Sequence, residues 1–93
     1  MFNRSLVRRQ IVEAREQLQD LEKRLGAKSR LSEAEFEIFL GHAYHHLNFA
    51  WNCRGVPESK YRGLTRSQFR KWGKVPLRVA ESLVRWSREG RGA

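Results

Sequence analysis

The sequence predicts an all-α protein: an antiparallel helical hairpin over about 5–25 and 33–54, closed by two shorter C-terminal helices near 66–72 and 77–88. Three observations carry that expectation. Apolar residues recur at helical spacing in three separate stretches, two capping boxes mark helix starts, and glycines stand where helices should stop. No alternating run reads as a strand, and no internal repeat is present.

In the first helix Val7, Ile11, Ala14, Leu18, Leu21 and Leu25 follow one another at spacings of four and three, a heptad. That spacing keeps one narrow apolar seam facing a helical partner. Asn3 or Ser5 can cap the start, and Gly26 stands at the end. The second helix opens on the capping box Ser32-Glu33-Ala34-Glu35, in which the serine oxygen takes the backbone N–H of Glu35 and the glutamate reaches back. Phe36, Leu40, Ala43, Leu47 and Ala50 form its apolar stripe, and Gly55 and Pro57 should end it, with Gly55 in the left-handed conformation. Residues 55–64 read as a connector. Thr65-Arg66-Ser67-Gln68 is a second capping box, and Gly73 closes that short helix. Pro76 suits the first turn of the last helix, whose Val79, Ala80, Leu83, Val84 and Trp86 lie on one side.

The loop between the long helices is six to seven residues, which favours antiparallel neighbours. The expected core is Ile11, Leu18, Leu21, Phe36, Leu40, Ala43, Leu47, Ala50, Val79 and Leu83. Residues 1–93 form a single helical domain, with 1–4 and 89–93 expected to fray. A domain of this size buries a modest core and is marginally stable.

One cysteine, Cys53, excludes an intrachain disulfide, and a secreted domain this small is usually stapled. A reducing, cytoplasmic setting is the corresponding expectation. No apolar run approaches the ~20 residues that span a bilayer, so no membrane partner is expected. The Arg-rich start faintly resembles a transit peptide, but the heptad runs straight through it.

Charge is unevenly placed. Residues 1–53 hold eight Lys/Arg against seven Asp/Glu; residues 54–93 hold eleven against three, a net +8. Interleaved with Tyr61, Phe69, Trp72 and Trp86, those cations suit a nucleic acid, because each phosphate contact releases condensed counterions. The candidate nucleic-acid contacts are Arg62, Arg66, Arg70, Lys71, Lys74, Arg78 and Arg85, with DNA or RNA as the partner. Arg85 is the candidate to reach a base edge. The same charge can equally solubilise the chain or meet an acidic protein. The order of short helix, Gly73 turn and amphipathic helix is loosely similar to a helix-turn-helix. Phe69 and Lys74 depart from that pattern, since the motif wants a small residue at the first position and an apolar one at the second. A packing corner is therefore the better reading.

Two other uses compete. The first-helix heptad can recruit another protein or make a homodimer, and Leu18 and Leu21 lie on that seam. His42 and His46, four apart on one helix face, could place two imidazoles on a metal, as in a small metal-dependent enzyme. Glu35 and Cys53 are each seven residues, roughly 10 Å, from the nearer histidine and too far to complete that shell. No cofactor or metal is expected, and no catalytic residue set is complete. His46 is expected at the edge of the core and His45 in solvent. Cys53 at a helix C-terminus is disfavoured as a nucleophile by the macrodipole. Asn48, Asn52 and His45 form a polar stripe opposite the core. Ile38 and Phe49 lie off the main stripe, which implies that the second helix is buried on two sides.

Overall fold

A computed structural model describes residues 1–26, 28 and 30–88. Those residues form six helices and no strand: α1 Arg4–Gly26, α2 Glu33–Asn52, α3 Glu58–Arg62, α4 Arg66–Trp72, α5 Leu77–Ala80 and α6 Ser82–Arg88. The hairpin of α1 and α2 is the frame, as the periodicities required. Both capping boxes are made. Ser32 Oγ accepts from the Glu35 N–H while the Glu35 carboxylate accepts from the Ser32 N–H, both at 3.1 Å. Thr65 and Gln68 repeat the exchange at α4.

Asn3 ties the start of α1 to the end of α2. Its N–H donates to the Arg54 carbonyl at 2.6 Å, its side-chain amide donates to the Val56 carbonyl, and its Oδ1 accepts from the Leu6 N–H as an N-cap. Residues 89–93 lie outside the described residues.

The face that α1 buries is rotated from the heptad and shares only Ala14 and Leu21 with it. The buried positions of α1 are Leu6, Gln10, Ala14 and Leu21; those of α2 are Ala43, Asn48, Phe49 and Ala50. Of the expected core, Leu21, Ala43 and Ala50 are buried and Leu40 is half-buried. Ile11, Leu18, Phe36, Leu47, Val79 and Leu83 are exposed instead, Ile11 at 46% and Leu47 at 43%. Three of the buried positions, Ala14, Ala43 and Ala50, are small, and Ile11, Leu18 and Leu47 lie exposed beside them. Gln10 fixes the rotation by bonding across to α2 and α3: its amide donates to the Tyr61 hydroxyl at 2.6 Å and its Oε1 lies 2.8 Å from His46 Nδ1.

The core sits at one end of the hairpin. Leu6, Phe49 and Cys53 are essentially inaccessible there, with Val56, Tyr61 and Trp72 packed around them. Phe49 meets Tyr61 and Trp72 edge-on, both at 6.4 Å between centroids, and Phe69 at 5.4 Å. Burial pushes the Cys53 thiol up to about 11, so it is an inert packing group at neutral pH.

Three local readings are corrected. The connector 55–64 contains α3, because the Pro57 carbonyl accepts from the Lys60 and Tyr61 N–H groups and so begins a helix as well as ending one. Glu58 in its first turn and Lys60 and Arg62 in its last match the helix dipole. Gly55 is not left-handed; α2 ends earlier, at Asn52, and the Met1 carbonyl would lie 3.2 Å from a Cβ at Gly55. The last helix is broken at Glu81. There the Ser82 hydroxyl donates to the Val79 carbonyl at 2.6 Å, competing with the helical ladder.

α5 and α6 follow one another directly along the chain and make almost no contact with the hairpin. Leu77, Val79, Leu83, Val84 and Trp86 consequently stay exposed. The radius of gyration of 15.7 Å is well above the ~12 Å expected for a compact chain of this length. No helix among the described residues is long and apolar enough to cross a membrane.

Candidate nucleic-acid interface

The basic surface is organised by α4, and α4 is positioned by α2. A seven-residue helix has little stability of its own, so its two ends must be secured. The capping box secures its start. At its end, Asn48 Nδ2 donates to the Gly73 carbonyl at 2.9 Å, and Asn52 Nδ2 donates to the Trp72 and Lys74 carbonyls at 2.7 and 2.8 Å. These amides satisfy carbonyls that a helix C-terminus leaves without partners. The polar stripe of α2 is thus a bracket for α4. A Cβ at Gly73 would lie 3.1 Å from the Phe69 carbonyl oxygen of its own last turn and in ordinary contact with the Phe49 ring at 3.6 Å.

The inner face of α4 is aromatic. Phe69 stacks beside His45 at 5.0 Å, and His45 lies 4.3 Å from Phe49. His45, expected in solvent, is therefore half-buried in a ring cluster. α2 is covered on a second side, by α3 and α4, which buries Phe49 but leaves Ile38 exposed.

The outer face of α4 carries the charge. Arg66, Arg70, Lys71 and Lys74, with Ser67, line one shallow open depression. Arg66, Arg70 and Lys71 lie on neighbouring ridges of α4, and Lys74 follows just past its Gly73 end. No Asp or Glu occurs between Glu58 and Glu81 in the sequence. Among the described residues none of these four cations makes an ion pair; the ion pairs formed are Arg9 with Glu58, Arg24 with Asp20 and the His46–Glu13 contact.

The other three candidates lie elsewhere. Arg62 ends α3, Arg78 is in α5 and Arg85 in α6, all exposed. Arg85 Nη2 donates to the Arg78 carbonyl at 2.9 Å, which folds its guanidinium along its own segment. Together with the break at Glu81, this removes the continuous second helix that a helix-turn-helix reader inserts in a groove.

The rings of His45 and His46 meet edge-on at 4.9 Å, but His42 and His46 share no partner. His42 is exposed, while His46 Nδ1–H donates to Gln10 Oε1, leaving Nε2 3.8 Å from Glu13. His46 faces α1. No group of three or more His, Cys, Asp or Glu among the described residues is arranged to hold a metal ion.

Desolvation lowers the proton affinity of both His45 and His46. His42 and His46 lower it further at His45; at His46 the Glu13 carboxylate partly restores it. The unfolded chain therefore binds more protons than the folded one just below the ordinary histidine value of ~6.5. Stability is complete above that pH and is lost as the pH falls toward the lowered folded values. The urea midpoint is expected to be lower at pH 5 than at pH 7.5, and less so in the His45→Gln, His46→Gln double variant. A midpoint that rises on acidification would contradict this account. No family model, curated protein or solved structure matches the chain.

Proposed function

We propose that this protein is a small helical binding module that docks on nucleic acid through the outer face of α4. The observation that carries the reading is the gathering of Arg66, Arg70, Lys71 and Lys74 around one depression, unpaired and on a helix braced by Asn48 and Asn52. A braced helix presents its cations at fixed spacing, so less side-chain ordering is required when phosphates arrive. Arginine adds bidentate hydrogen bonds to phosphate oxygens.

Phosphate contacts position a protein but carry no sequence information. Arg85, the candidate to reach a base edge, bonds to the Arg78 carbonyl of its own segment, and the four gathered cations are suited to phosphates. Recognition is accordingly of the backbone, with weak sequence selectivity. Four phosphate contacts on duplex DNA give a slope of log affinity against log salt near −3.6, or roughly a hundred-fold loss between 50 and 200 mM salt. Anisotropy titrations with labelled duplex and single-stranded oligonucleotides at 50 mM salt test the reading. Micromolar binding that weakens with salt is expected. Binding to both no tighter than about millimolar, against a non-specific range of ~10⁻⁴–10⁻⁶ M at physiological salt, would dispose of it. The face would then be better read as a dock for an acidic protein.

A further inference from the structure

Ile11, Ala14 and Leu18 of α1 line an open groove with Leu47 of α2, and Arg15, Gln19 and Glu22 form its rim. Leu25, 61% exposed, continues the α1 row by one further heptad step. This row is the half of the heptad that the alanine seam leaves uncovered. Two helices alone cannot bury a stripe on their common flank; a second pair can, and four helices then share one core.

We infer that the groove is covered by a second copy of this chain, with the two α1 helices antiparallel and crossing at Leu18. The charges choose the arrangement. A two-fold axis at Leu18 sets Leu18 against Leu18 and Ile11 against Leu25 of the second copy. Arg15 then lies within about one residue rise, ~1.5 Å along the axis, of Glu22 across the interface, and the symmetry makes that pair twice. Moving the axis so that Ile11 meets Leu18 brings Arg15 beside Arg15. Moving it the other way, so that Leu18 meets Leu25, brings Glu22 beside Glu22. A parallel pair sets Arg15 and Glu22 on the opposite flank from their symmetry mates, so neither meets the other's charge. The Leu18-centred antiparallel register joins Arg15 to Glu22, whereas the shifted antiparallel registers join like charges and a parallel pair joins neither. Charge placement of this kind sets partner and register in helical assemblies. The basic face of α4 is carried on the opposite side of α2, by Asn48 and Asn52, and stays open in such a dimer.

Sedimentation equilibrium of the full chain over a micromolar to millimolar range tests the proposal. The native chain is expected to be a concentration-dependent dimer. Leu18→Glu should abolish dimerisation without loss of helix by circular dichroism, since Leu18 is half-exposed in the monomer. Arg15→Glu and Glu22→Arg should each weaken the dimer roughly ten-fold, and combining them should restore it to within about two-fold of native. A monomer throughout the range would overturn the proposal. So would a dimer that the double reversal fails to rescue. A dimer insensitive to Leu18→Glu but lost on deleting residues 77–93 would place the exposed C-terminal helices at the interface instead, and would equally overturn it.

Discussion

Phe49→Ala is expected to unfold most of the protein at ambient temperature. The ring is 1% exposed and touches four other rings, those of His45, Tyr61, Phe69 and Trp72. It is where α2, α3 and α4 meet, and Leu6 of α1 joins it in the same cluster. Truncating a buried phenylalanine costs about 3–5 kcal/mol, from lost transfer energy plus the cavity left behind. A domain of this length has roughly 5–14 kcal/mol in total, and an open shape with so small a core places it toward the low end. Urea and thermal unfolding followed by far-ultraviolet circular dichroism measure the difference, with a fall of well over 10 °C in melting temperature expected. Leu47→Ala, at concentrations where the chain is monomeric, should cost less than about 1.5 kcal/mol, because the leucine is nearly half exposed before truncation. Equal costs for the two substitutions would show that the core lies along the α1–α2 seam rather than at its end.

That contrast marks where the sequence was legible and where it was not. Helix starts were plain because Ser32/Glu35 and Thr65/Gln68 make their bonds within four residues, and such local chemistry survives any tertiary context. The antiparallel hairpin followed from two long periodicities and a short loop. The face that α1 turns to α2 did not. A heptad of large side chains points to a leucine seam, whereas the structure packs on Ala14, Ala43 and Ala50 and draws in Gln10. Gln10 is tolerable there because His46 and Tyr61 satisfy it from 36 and 51 residues away, and no local pattern announces pairings at that range. α3 was hidden behind Pro57, which ends one helix and starts another.

The site divides in the same way. Arg66 and Arg70 share a helix face by spacing, and Lys74 follows directly after the Gly73 stop, so their grouping could be read directly. The Asn48/Asn52 pair also left a signal, a polar stripe at i,i+4 opposite the core; what it grips is a long-range fact. The bond from Arg85 to the Arg78 carbonyl spans the break at Glu81, for which Ser82 was the sole local hint.

The second large effect is expected from replacing Arg66, Arg70 and Lys74 together by alanine. At 50 mM salt the affinity for duplex DNA should fall about 10²–10³-fold, since each lost phosphate contact forfeits its share of counterion release. The fold should survive. These side chains are exposed, the Thr65–Gln68 box is untouched, and alanine favours helix. Replacing Arg78 and Arg85 instead should change affinity several-fold at most, because they stand apart from the depression around α4. A loss of similar size from both sets would mean that net charge, rather than one organised face, holds the nucleic acid.

The most direct test is the salt dependence itself, measured on the native chain and the Arg66, Arg70, Lys74 variant with one duplex oligonucleotide from 50 to 200 mM salt. Four contacts for the native chain and one remaining at Lys71 correspond to slopes near −3.6 and −0.9. A variant that retains the native slope would contradict the claim that the α4 face is where this protein meets phosphate.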